Sequence, residues 1–326
     1  MKRKFLSDFL TFTVFAVIFG FALNACAQAD LISTTTAKFL KIPIGGRPTG
    51  MGGAYAGAAE GVESMFWNPA GLSRTERSEI AAGMNILYND ISGMYFALGY
   101  PLKSNKSAIG INYMNWNMGN IDVTTTSANV ITSVAVNQGF FGVTYSVAFI
   151  DAMRFGITAR YIYQDLGGQY GASVNGVAGD VGFLFLFSDL FRIGVSGQNL
   201  GVILGSSTDQ LPRIIRAGIA LCPVKNFTLA VDAEMPQDND IKVHVGTEYV
   251  IKGEGLASLA IRLGYNQAEA TTASGSSNLS GITIGLGMKA ALSEIDEGNS
   301  NMDIDYVYAP YAGLGITHRF SVIFRL

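Results

Sequence analysis

Imidazole is the side chain that most often acts as a general base or holds zinc near neutral pH, so the histidines are weighed first. The chain has two, His244 and His318, and neither stands at ligand spacing from the other or from a cysteine. Each reads as a satisfied side chain of a strand or turn. Paired carboxylates occur as Asp232 with Glu234 and Asp303 with Asp305. A spacing of two puts both members on one face of an extended strand, where such a pair could share a proton. Ion pairing with Arg154, Arg160, Arg192, Arg262 or Arg319 on neighbouring strands explains them more simply. Gly285-Leu286-Gly287 begins a dinucleotide-type pattern but lies inside a strand-like run and opens no helix. No catalytic, cofactor-binding or metal-ligating residue emerges. Without a basic run or aromatic-basic interleaving there is no nucleic-acid signature either. The expectation is a protein that is not an enzyme.

The elements that must position these charges are strands. From Ser78 onward the chain divides at Gly, Pro, Asn and Asp clusters into segments of roughly 10–14 residues, the length a tilted strand needs to cross a bilayer. Fourteen such segments can be drawn, including 107–117, 138–150, 242–251 and 256–267. In the third of these, Val243, Val245, Thr247, Tyr249 and Ile251 oppose Lys242, His244, Gly246 and Glu248. In the last segment, Phe320, Val322, Phe324 and Leu326 oppose Arg319, Ser321 and Arg325. Charge stays on one parity, as lipid demands, since an Arg or Lys facing mid-bilayer costs about 2–4 kcal/mol. Arg262 is therefore expected to tolerate Gln, whereas its neighbour Leu263 is not expected to tolerate Arg. Short links, such as Asn89-Asp90, Asp151-Ala152 and Ser188-Asp189, are expected on the periplasmic side, and long ones around 119–137, 268–278 and 292–300 outside. A soluble sandwich would carry polar residues on its outer faces, and these segments do not.

Composition narrows the class further. Charged residues are 14% of the chain and hydrophobic ones 49%, with 39 glycines, yet past residue 29 no apolar run is long enough to span as a helix. Lys2, Arg3 and Lys4 precede an apolar run ending near Leu23, followed by Ala25, Ala27 and Ala29, which reads as a secretory signal peptide over 1–29. The stretch Leu23-Asn24-Ala25-Cys26 loosely resembles a lipobox, with Asn24 a poor fit. Once Cys26 is removed only Cys222 remains, so no internal disulfide holds the fold. An exported, apolar chain without a spanning helix points to an all-β fold: a transmembrane antiparallel β-barrel of about 14 strands in the bacterial outer membrane. Its partners would be outer-membrane lipid and the barrel-insertion machinery. The mixed charges Arg154, Arg160, Arg192, Asp232, Glu234, Arg262, Asp303 and Asp305 would line its lumen, which argues against a wide ion-selective pore.

Residues 30–77 do not alternate. Gly50, Gly52, Gly53, Ala54, Ala56, Gly57, Ala58 and Ala59 carry almost no side-chain bulk, which suits backbone packed against a confining wall and implies a plug inside a barrel formed by 78–326. Pro69 should hold Asn68 extended, with the Asn side chain bonding nearby backbone. Removing residues 34–74 is expected to leave an assembled but leaky barrel. The run "MGGAYAGAAEGVESMFWNPAGL" resembles the N-terminal signature of the PorV/PorQ family of outer-membrane proteins, relatives of the FadL fatty-acid transporters. "GVAGDVGFLFLF", "RIGVSGQNLG" and "YAGLGITHRFSVIF" extend that resemblance over nearly the whole mature chain. It implies a fourteen-stranded barrel with a lumenal plug, and a ligand path near Phe66, Trp67, Asn68 and Pro69. Two functions follow as expectations: handling of secreted protein cargo, as in type IX secretion, or FadL-like uptake of hydrophobic small molecules such as long-chain fatty acids.

Overall fold

The computed structural model describes residues 35–87, 91–102, 106–124, 130–167, 173–205, 210–253, 257–267, 281–291, 300–310 and 316–326. The expected signal peptide and Cys26 lie outside these residues. Fourteen strands make up the wall. The first seven are β1 (Glu79–Ile86), β2 (Ser92–Leu102), β3 (Ser107–Thr124), β4 (Val130–Ile150), β5 (Met153–Asp165), β6 (Ser173–Leu186) and β7 (Phe191–Ile203). The remainder are β8 (Ile214–Leu221), β9 (Phe227–Pro236), β10 (Lys242–Lys252), β11 (Ala257–Asn266), β12 (Ile282–Ala291), β13 (Asn301–Pro310) and β14 (Ile316–Arg325). Every neighbour pairs antiparallel, and β1 pairs with both β2 and β14, which closes the barrel. Closure leaves no open edge along the wall.

Period-two alternation becomes inside and outside. Leu259, Ile261, Leu263 and Tyr265 of β11 are exposed on the outer surface, while Arg262 between them is buried in the lumen opposite Glu248 of β10. The same split runs round the wall, with Ile284, Leu286 and Met288 outward on β12 and Asp305 inward on β13. His244 is buried in the lumen; His318 falls on the outer parity of β14, where Tyr306 of β13 shares a 2.8 Å hydrogen bond with its Nδ1.

Two expectations about the links are corrected. The stretch 119–137, a long loop by its sequence, is not one: 120–124 and 130–135 continue β3 and β4, with Ile121 opposite Val134 and Val123 opposite Thr132. β-Branched residues at alternate positions pair there as they do in the wall. Link length sorts the two rims with two exceptions. Ile86 pairs with Ser92 at the far rim although the link there is short, whereas Ala291 pairs with Asn301 at the rim of Glu79 and Arg325 although that link is long. Strand direction alternates regardless of loop length, so parity decides the rim.

Inside the wall, residues 35–78 run from the far rim to the near rim. They contain 3-10 turns at Lys38–Lys41, Val62–Phe66 and Pro69–Arg74 and one helical turn at Gly46–Gly50. Between the turns the chain is irregular, so its backbone groups must find partners in the wall.

Candidate functional site

The wall supplies those partners one by one. Thr283 Oγ1 donates to Gly50 O at 3.1 Å, and His244 Nδ1 donates to Gly52 O at 2.9 Å. Asp232 accepts from the backbone N–H groups of Tyr55 and Ala56 at 2.8 and 2.7 Å. Arg160 donates to Met65 O, Gln198 to Phe66 O, Ser196 to Trp67 O, Ser146 to Ala70 O and Arg154 to Ser73 O. At the near rim Glu79 accepts from Val62 N at 2.8 Å. The same wall makes room by omission. A Cβ at Gly156, Gly194, Gly246 or Gly264 would overlap plug backbone at Pro69, Ala56, Met51 or Gly52. Residues 46–75 thus form a septum clamped around its whole edge.

On the near side of the septum lies a cavity of about 530 Å³ lined by charge. Arg47 bridges Glu60 at 2.5 Å and Glu248 at 2.7 Å, and Arg262 bridges Glu248 at 2.7 Å and Asp305 at 2.5 Å. Arg325 pairs with Glu79 at 2.9 Å and with Asp303. Glu63, 2% exposed, is pinned by Gly46 N–H and the Tyr95 hydroxyl at 2.8 and 2.9 Å.

On the far side the surroundings change. A recess of about 20 Å³, room for one water, is lined by Leu40, Ile42, Ile44, Phe66, Trp67 and Phe140 together with Lys41, Pro43, Arg160, Gln198 and Arg216. Arg160 lies over the Phe140 ring and Arg216 over the Trp67 ring, each 4.7 Å from the centroid. These stacks fix the ring planes while the guanidinium groups pair elsewhere, Arg160 with Asp180 and Arg216 with Glu234, both at 2.6 Å. Residues 35–42 form a strap over the recess. Lys41 and Thr35 both bind Asp238 in the β9–β10 turn, Thr35 at 2.6 Å, and Thr36 N–H donates to Gln210 O at 3.0 Å. Burial pushes the Asp238 carboxyl up, but its bonds from Lys41 and Thr35 outweigh that and hold it below the usual carboxylate range.

Of the four plug residues singled out from sequence, Phe66 and Trp67 line the recess and Asn68 and Pro69 do not. Asn68 is extended, at φ −146 and ψ 101, and its side chain accepts from Ala70 N and donates to Ala56 O and to Phe183 O of β6. It seats the septum. The lumen charges pair differently from expectation. Asp305 finds Arg262, but Asp303 finds Arg325, Glu234 finds Arg216, and Asp232 is bonded to septum amides rather than to an arginine. Arg192 reaches Glu60 at 3.8 Å. Glu60, Glu63, Asp180 and Asp238 were not anticipated. Their signal was weak, since the first two and Asp238 lie outside alternating segments and Asp180 is a single charge in a glycine-rich strand.

Solved structures supply the comparison. The fold resembles the Ralstonia pickettii toluene transporter TbuX, with a TM-score of 0.57 at 13% identity over 86% of this chain and 97% of that one. It resembles the Pseudomonas putida toluene transporter TodX at 0.57 and 11% over 85% and 96%, and a Pseudomonas aeruginosa FadL homologue at 0.52 and 9% over 84% and 95%. At such identities the likeness is one of fold. No family model matches the chain, and no curated protein matches it by sequence.

Proposed function

We propose that this chain is an outer-membrane barrel that takes up small hydrophobic molecules from outside the cell. The observation that carries the reading is the difference between the two sides of a fixed septum: on the far side Leu40, Ile42, Ile44, Phe66, Trp67 and Phe140 gather beside Lys41, Arg160, Gln198 and Arg216, whereas the near side is lined mainly by ion pairs. An apolar solute gains by entering the first compartment and would lose by crossing into the second. With the axial route closed, its way out is sideways through the wall. Beside the recess, the β6–β7 ladder is interrupted between Gly179 and Val181, where Asn199 adopts φ 58 and bonds Asp180. A bulge of this kind leaves a residue unpaired and bends its strand, which makes it the place in the wall proposed for such an exit. The far rim faces outward in this reading, both strand termini lie on the periplasmic side, and the outer surface meets lipid.

The solved structures compared above support the FadL side of the resemblance and lend none to PorV/PorQ, so the cargo-handling expectation yields to uptake. Two of the matched proteins, TodX and TbuX, are described as toluene transporters, and their lumen is the analogue offered here. The recess suits a planar apolar group against Phe66 and Trp67, and Arg160 and Arg216 could meet the head of a carboxylate-bearing chain. The test is uptake of labelled toluene and of a labelled long-chain fatty acid by cells with and without the protein, and with Trp67→Ala. Uptake of at least one class should exceed the empty strain and fall in the variant. Equal uptake of both classes in all three strains would refute the reading.

A further inference from the structure

This inference rests on the uptake reading and concerns how the recess is opened. At about 20 Å³ the recess holds a water and nothing larger, so a hydrophobic molecule can enter only if part of its lining moves. The septum is not that part. Phe66 and Trp67 are fixed by wall donors to their own carbonyls, and Ile44 accepts from Trp67 Nε1 at 2.8 Å. Pro43 O is held by Arg319 at 2.6 Å.

The strap is held differently. Among the described residues, its hydrogen bonds to the wall come down to Thr36 with Gln210 and to two bonds accepted by one carboxylate, Asp238. Leu40, Lys41 and Ile42, the residues that roof the recess, are only half-buried. Within the strap Ala37 sits at φ 53, a left-handed conformation that costs an alanine about 1 kcal/mol or more. Release would relieve that strain. Phe39 is the one large side chain the strap buries, so it can act as a hinge while the roof swings outward.

We propose that Asp238 is a positioning residue that latches the strap over the recess, and that unfastening it is the step that admits the hydrophobic solute. The latch spans two separate pieces of chain, the start of the plug and the β9–β10 turn. Neither piece belongs to the clamped septum.

The experiment has two arms in a Cys222→Ser background, with heat-modifiable gel mobility confirming the barrel in every variant. In the first, Leu40→Cys reports strap position through its rate of reaction with a maleimide added from outside. Adding Asp238→Ala should raise that rate roughly tenfold or more, the scale of losing two charge-assisted bonds. In the second, Thr36→Cys with Gln210→Cys joins backbone-bonded neighbours and fastens the strap, which should abolish uptake until a reductant is supplied. Unchanged labelling in the Asp238→Ala variant, or full uptake by the oxidised pair, overturns the latch. Faster labelling in cells that take up neither toluene nor fatty acid supports the latch and removes the uptake reading instead.

Discussion

Residues 46–75 and residues 35–42 belong to one continuous plug, yet the wall treats them differently. The first stretch is clamped: glycines of at least four strands yield space to its backbone, and side chains from seven strands bond its carbonyls and amides. The second is hydrogen-bonded to the wall at two points, one of them a single carboxylate, and otherwise rests on the apolar burial of Ala37 and Phe39. A plug is therefore not one mechanical object. Its middle is bonded to the wall along its backbone, and its beginning is held by apolar burial and a few polar bonds.

The strongest way to break this contrast is to push the septum off its seat. Gly194→Val or Gly246→Val drives a branched side chain into the backbone of Ala56 or Met51, and overpacking of this kind costs about 1–3 kcal/mol or more. Either variant is expected to lose the heat-modifiable band, and deletion of 46–75 to yield no assembled barrel. That reverses the expectation of an assembled, leaky form, because the wall donors would lose their partners together. A deletion variant recovered as a folded barrel would show that the septum is separable after all.

Arg262→Gln is next in size. The expectation that this position tolerates Gln is revised, since Arg262 is buried between Glu248 and Asp305 and its removal strands Asp305 while leaving Glu248 to Arg47 alone, at a cost of about 3–5 kcal/mol. Comparison of denaturant midpoints for Arg262→Gln and Leu263→Arg should show both well below the parent; a parental value for Arg262→Gln would reject the pairing.

Asp232→Asn against Asp238→Asn sharpens the contrast directly. Asp232 holds two septum amides at 2.8 and 2.7 Å, and weakening charged bonds of that kind costs about 1.5–3 kcal/mol. The melting temperature should drop in the first variant and stay near the parent's in the second. Equal drops would mean that strap and septum unfold as one unit.

The smallest effect is one of pH. Because the Asp238 carboxyl is held below the usual range, its contribution is fully present above the ordinary carboxylate value and is lost only as pH falls through the lowered one. Labelling of the Leu40→Cys reporter, taken relative to a free thiol at the same pH because only the thiolate reacts, should be flat from neutral to mildly acidic pH and rise only in stronger acid. A rise already near pH 6 would assign the latch to another group.

What the sequence determined alone was whatever repeats locally. Period two separates Arg262 from Leu263 and His244 from Val245 with no knowledge of a neighbour, so strand number, the inward parity of charge and the small-residue plug could all be read along the chain. Asn68-Pro69 likewise declared its extended geometry, because proline restricts the residue before it. Tertiary structure alone decided the partners. Asp232 and Glu234 look alike in sequence, yet one meets septum amides and the other Arg216, since strand register and the path of the plug bring distant residues together. The extension of β3 and β4 also depended on pairing, which gives Ile121 a strand neighbour in Val134. Asp238 stood in a turn with nothing to mark it until Thr35 and Lys41, some two hundred residues earlier, were folded across the far rim to meet it.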